Sequence, residues 1–123
     1  MLKFVYCVRR RPDISPAEFR KYWLEKHGPL VRKYASALRV KRYVQSHTLD
    51  TPLNDVAAGP RGTKAPFDGI TELWWDSIED LLQAAATPEG QEANRVLAED
   101  EARFCDLPNC SVFFTEEHEI FRF

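Results

Sequence analysis

Apolar side chains alternate along Leu2 to Val8, with Leu2, Phe4, Tyr6 and Val8 on one side of an extended chain and Val5 and Cys7 on the other. Both sides carry apolar groups, so this pattern predicts a strand covered on both faces. The period then changes. Ser15 can cap a helix, Pro16 suits its first position, and Glu18 completes a capping box. Phe19, Trp23 and His27 follow at i, i+4 and i+8 on one helical face. Gly28-Pro29 is expected to break that helix directly after the histidine. A second helical segment then takes Leu30, Val31, Tyr34 and Leu38 at core spacing.

Val40 to Leu49 reads as the next strand, with Tyr43, Gln45, His47 and Leu49 on one face and Arg42, Val44, Ser46 and Thr48 on the other. Thr51 to Pro66 holds Pro52, Gly59, Pro60, Gly62 and Pro66 and is too rich in breakers for a helix or strand; a loop of this length is expected to be a functional cover or a mobile insertion. Asp68-Gly69 turns into a strand over Ile70 to Asp76. Ser77 starts a helix whose inner face is Ile78, Leu81, Leu82 and Ala85. Thr87-Pro88-Glu89 starts a longer one carrying Ala93, Val96, Leu97 and Phe104, and Ser111 to Phe121 reads as the last strand.

Strand, helix, strand, strand, helix, strand is the βαββαβ order of a ferredoxin-like α+β domain with a four-stranded antiparallel sheet. Helices cover one face of such a sheet only. Tyr43, Leu49 and one of Trp74 or Trp75 are expected on the second face, which then needs a cover. A homodimer stacking two sheets into a barrel supplies one.

The 123 residues fit one domain spanning 1–123, large enough to bury a core without staples. A net charge of −2 argues against a nucleic-acid partner, and Arg9-Arg10-Arg11 reads as a solvated strand end. Cys7, Cys105 and Cys110 form no zinc-ligand pattern. With no secretory leader and no apolar stretch of membrane-spanning length, a reducing cytoplasmic setting and no membrane contact are expected.

Four polar side chains stand out as chemistry. His27 is the leading candidate acid/base, and a helix C-terminus would favour its protonated form. Tyr43 and His47 share a strand face two pleats apart, where a phenol could polarise a carbonyl while an imidazole works. Glu72 shares a face with Trp74 and is either a buried general base or an ion-pair member. Phe19, Trp23, Trp74 and Trp75 could wall an aromatic ligand site or simply pack the core. Glu116-Glu117-His118-Glu119 cannot converge on a metal, because alternate residues of a strand point apart. No phosphate loop, nucleophile elbow or paired Cys-x-x-Cys is present.

Phe19, Trp23, His27-Gly28-Pro29, Arg42-Tyr43, the run from Asp68 to Trp75 and the segment from Glu99 to Phe104 together resemble the EthD-like family of the dimeric α+β barrel superfamily. The resemblance spans roughly residues 1–120. It implies a homodimer with face-to-face sheets and a cavity between each sheet and its own helices or partner. The family includes cofactor-free enzymes that rearrange or dehydrate small cyclic compounds, such as methylmuconolactone isomerase and fungal polyketide dehydratases, and members of ether-degradation operons of unclear role. By that resemblance His27 and Tyr43 match positions implicated in the isomerase-type members. Relatives elsewhere in the superfamily bind haem through a histidine, but nothing in this sequence selects for it, and neither cofactor nor metal is expected. The expected activity is a cofactor-independent lyase or isomerase for a small hydrophobic carbonyl or lactone compound. The alternative is a non-catalytic dimeric accessory protein that holds such a ligand.

Overall fold

The computed structural model describes all 123 residues. Four strands, β1 (Leu2–Val8), β2 (Arg42–His47), β3 (Gly69–Trp75) and β4 (Ser111–Thr115), form one antiparallel sheet in the order β2-β3-β1-β4. The helices α1 (Pro16–Tyr22), α2 (Gly28–Leu38), α4 (Ile78–Ala86) and α5 (Pro88–Glu101) lie in the two crossovers, and a short α3 (Leu53–Ala58) lies between β2 and β3. This is the ferredoxin-like α+β architecture expected. No helix is long and apolar enough to cross a membrane.

Strand register decides which residues meet the helices. Phe4, Tyr6 and Val8 pair with Leu73, Thr71 and Gly69, and Tyr43, Gln45 and His47 pair with the same three β3 residues. All share the helix-covered face, because residues opposite one another across a ladder point the same way. The other face carries Val5, Val44, Ile70, Glu72, Trp74 and Phe113. Tyr43 therefore lies under the helices rather than on the second face, and Leu49 falls beyond the end of β2, 72% exposed. Trp74 alone of the three expected residues occupies that face.

Gly28-Pro29 does not break the helix. Ser15 and Glu18 form the capping box at the start of α1, and the chain stays helical through a π turn at Trp23–His27 directly into α2. In that turn the Gly28 N–H reaches back five residues to the Trp23 carbonyl. The shift in register places Pro29 within the first two positions of a fresh α-helix, where its missing N–H costs nothing. The Gln45 side-chain amide also donates to the Trp23 carbonyl at 2.8 Å, tying the bulge to the sheet.

Three further boundaries differ from expectation. The breaker-rich segment folds α3 and a 3₁₀ turn at Gly59–Arg61, and buries no residue in either. Along α4 the inner residues are Ala84 and Leu81, while Ile78 and Leu82 are exposed, because this helix covers the sheet only along a narrow stripe. The last strand stops at Thr115 instead of Phe121, since Thr115 pairs with Lys3 and β1 has almost no residues left beyond it to act as a ladder partner.

Under the helices the packing divides into two clusters. Tyr6, Val8, Phe19, Trp23, Phe104 and Cys105 form one, and Val31, Leu38, Ala93 and Leu97 the other. Close approach at one point requires a glycine: a Cβ on Gly69 would lie 2.4 Å from the Trp23 ring.

Candidate active site

Between the two clusters lies a cavity of about 380 Å³, walled by residues of both, including Tyr6, Trp23 and Phe104 on one side and Val31, Leu38 and Leu97 on the other. Its polar groups are few. His27, Tyr43, Thr71, Asn94 and Glu101 line it among mostly aliphatic and aromatic side chains, the composition of a small-molecule pocket.

His27 is the last residue of the π turn and is 6% exposed. Its Nδ1 lies 2.7 Å from Asp100 Oδ2, and its ring leans on Phe104 at a centroid distance of 4.9 Å. The Asp100 carboxylate accepts further hydrogen bonds on Oδ1 from the Tyr22 hydroxyl at 2.5 Å and from Arg103 at 3.0 Å. Burial alone would raise the Asp100 pKa, but the bonds from Tyr22, His27 and Arg103 outweigh it and hold the group below the ordinary carboxylate value. An ionised Asp100 can only accept, so His27 carries its proton on Nδ1 and presents a lone pair on Nε2. No protein group bonds Nε2, and every buried side-chain nitrogen and oxygen in the molecule has a partner, so Nε2 opens onto the cavity.

The expected electrostatics of His27 are reversed. The imidazole sits within a continuous helix rather than at its C-terminus, and burial pushes its pKa below the ordinary value against the opposing pull of Asp100. Neutral His27 is the resting form near pH 7. It is a base, not a preformed cation.

Tyr43 also lines the cavity. Its hydroxyl accepts from Gln45 Nε2 at 2.6 Å, which leaves its own O–H free to donate, and burial pushes its pKa up to about 12. The phenol therefore remains protonated at physiological pH and can act as a hydrogen-bond donor. His47 shares the strand face of Tyr43 but not the cavity. It stacks on Trp23 at 4.3 Å and its Nε2–H donates to Gln45 Oε1 at 2.8 Å. The two groups are joined through Gln45 instead of by a shared substrate space.

Of the aromatic candidates, Trp23 and Trp75 form cavity wall, and the Trp75 indole N–H is anchored to the Leu38 carbonyl at 2.7 Å. Phe19 is fully buried behind Trp23 and Phe104. Trp74 and Glu72 lie on the opposite sheet face. Trp74 is sandwiched by Arg42 and Lys3 and donates to Glu117 at 2.5 Å, and Glu72 forms an ion pair with Lys3. Glu72 is thus an ion-pair member there, away from the cavity. The segment 51–66 contributes no residue to the cavity wall either.

Asp100, Tyr22 and Glu101 were not singled out from the sequence as candidate site residues. One signal was available: Ala93, Leu97, Asp100 and Phe104 follow the inner stripe of α5 and the turn after it, and a carboxylate on such a stripe needs a buried partner.

The fold and this site describe a small α+β domain with a buried histidine–carboxylate pair opening on an apolar pocket. The EthD domain family profile matches residues 11–108, and the chain belongs to that family. Similar solved structures include an EthD family protein from Bacillus halodurans, 20% identical, covering 96% of this chain and 99% of its own, with a TM-score of 0.64. A hydroxynitrile lyase from Passiflora edulis is 16% identical, covers 98% and 96%, and has a TM-score of 0.63. A dimeric protein of unknown function with a ferredoxin-like fold, from Bacteroides fragilis, is 10% identical, covers 94% and 95%, and has a TM-score of 0.58. No curated protein matches the sequence.

Proposed function

We propose that the protein is a cofactor-independent lyase or isomerase that moves protons on a small hydrophobic carbonyl or lactone compound. The observation that carries this reading is the His27–Asp100 pair: Nδ1 is held at 2.7 Å by a carboxylate, and Nε2 faces an apolar cavity. A carboxylate behind an imidazole fixes its tautomer and stabilises the cation formed when Nε2 takes a proton. Removal of a proton from carbon next to a carbonyl leaves negative charge on oxygen, and a fixed donor such as the Tyr43 hydroxyl stabilises that charge best where water is excluded. The lyase of similar fold from Passiflora edulis is consistent with such chemistry on this scaffold.

We also propose that the molecule is a homodimer built on the open sheet face and works in a reducing cytoplasm. Ile70 and Phe113 on that face are 39% and 45% exposed, a dimeric protein of the same fold is among its neighbours, and all three cysteines are free.

The test is α-proton exchange. 2-Tetralone, a bicyclic aromatic ketone, is incubated with the protein in D₂O and deuterium incorporation is followed by NMR. Incorporation above the buffer rate, lost in His27→Ala and kept in the surface variant Lys21→Ala, is the expected result. Binding of the ketone without exchange would favour an accessory, ligand-holding role and overturn the enzyme.

A further inference from the structure

We infer that Glu101 is the second proton-carrying residue of the cavity, acting on the substrate's oxygen while His27 acts on its carbon. This deepens the proposed function and rests on it.

Asp100 and Glu101 are neighbours at the end of α5, and successive helical residues point about 100° apart. One carboxylate therefore takes the imidazole, and the other enters the cavity wall. Their environments are opposite. Asp100 is saturated by Tyr22, His27 and Arg103. Glu101 has no ion-pair partner, and unlike most other carboxylates that lack one it is not exposed. The titratable groups around it are Tyr6 from β1, Tyr43 from β2, its neighbour Asp100, and Cys105 and Cys110 beyond the helix. None of them is a cation.

A carboxyl in an apolar cavity with no cation beside it, bonded only by the Tyr6 hydroxyl, weakens the fold when it ionises, which is the usual mark of a group retained for chemistry. Burial, aided by the charge of Asp100 and opposed by a bond from Tyr6, pushes its pKa up to about 6. Two titratable groups are thus driven toward complementary roles, a neutral imidazole that accepts and a carboxylic acid that donates.

The step balances within the cavity. The α C–H bond breaks, its proton passes to His27 Nε2, and the electron pair forms the new C=C bond. The carbonyl π pair takes the Glu101 proton, giving a neutral enol, a protonated imidazole and a carboxylate. Return of a proton to carbon and of the enol proton to Glu101 restores both groups.

The experiment compares full-length wild type, His27→Ala and Glu101→Gln for deuterium incorporation into 2-tetralone between pH 5 and 8. Wild-type exchange should fall as pH rises past about 6 and Glu101 ionises. Glu101→Gln, which keeps shape but has no acidic proton, should lower the rate near pH 5.5 by at least about tenfold. It should also abolish the fall above pH 6, so that the two proteins converge toward pH 8. Circular dichroism and thermal melting establish that the variant is folded. Exchange by wild type that is lost in His27→Ala but retained in Glu101→Gln, with the alkaline fall intact, overturns the assignment of Glu101 alone. Absence of exchange by wild type overturns the enzyme reading and the assignment with it.

Discussion

Replacing Asp100 by Asn changes one atom and should invert the chemistry of His27. In the native site Oδ2 accepts from His27 Nδ1, and Oδ1 accepts from both Tyr22 and Arg103. An asparagine has one acceptor oxygen. Facing Tyr22 and Arg103, it keeps two bonds and turns its NH₂ toward His27; facing His27, it keeps one and points donors at the Arg103 guanidinium. The first orientation wins. An NH₂ against Nδ1 then requires Nδ1 to accept, so the imidazole proton moves to Nε2 and the cavity loses its base. Bonds to a charged group contribute about 1.5–3 kcal/mol, against about 0.5–1.5 for neutral ones. Weakening three of them, one to the largely exposed Arg103, amounts to about 2–3 kcal/mol. Urea unfolding measures that loss, ¹⁵N spectra of the imidazole report the tautomer, and 2-tetralone exchange should fall by about 10²–10⁴. A variant that keeps its stability within about 0.5 kcal/mol, or whose His27 still carries the proton on Nδ1, would refute the reasoning.

Gly69→Ala should destabilise by about 1–3 kcal/mol in urea, because its Cβ meets both the Trp23 ring at 2.4 Å and the Ser46 carbonyl oxygen at 2.7 Å; an unchanged midpoint would mean that Trp23 yields freely. Glu101 is held at about 6, above its ordinary value of 4.5, so the folded state binds its proton more tightly than the unfolded chain. Its burial therefore destabilises fully above about pH 6 and is relieved as pH falls toward and below 4.5. Glu101→Gln should be about 1–2 kcal/mol more stable than wild type at pH 7.5, with the difference vanishing near pH 4, as read by urea titrations at each pH. Phe113→Glu puts a charge on the open sheet face and should convert a wild-type dimer to monomer in sedimentation velocity at micromolar concentration. Wild type sedimenting as a monomer would remove the proposed dimer.

The capping signals at Ser15, Ser77 and Thr87 mark helix starts that the structure repeats, each with its side chain accepting from the backbone three residues on. Such bonds are local, so sequence carries them. Gly28-Pro29 misled for the opposite reason: whether proline ends a helix depends on whether a π turn can shift the register, and here Gln45, far along the chain, ties down the carbonyl of that turn. The end of β4 was likewise set by where β1 runs out rather than by its own residues.

The order of the strands and crossover helices, the EthD resemblance and the inward direction of Phe19, Trp23 and His27 followed from the sequence alone, because capping, periodicity and motif spacing are short-range properties. Tertiary structure decided the rest. Strand register put Tyr43 and Trp75 under the helices and Glu72 and Trp74 on the other face, a choice of parity that a residue pattern apolar on both sides cannot make. The partner of His27 is Asp100, 73 residues away, and a contact of that range exists only once α5 packs against the π turn. With it came the reversal from a histidine expected to be charged at a helix end to a buried neutral base, since burial and a long-range carboxylate, not the local dipole, control the proton.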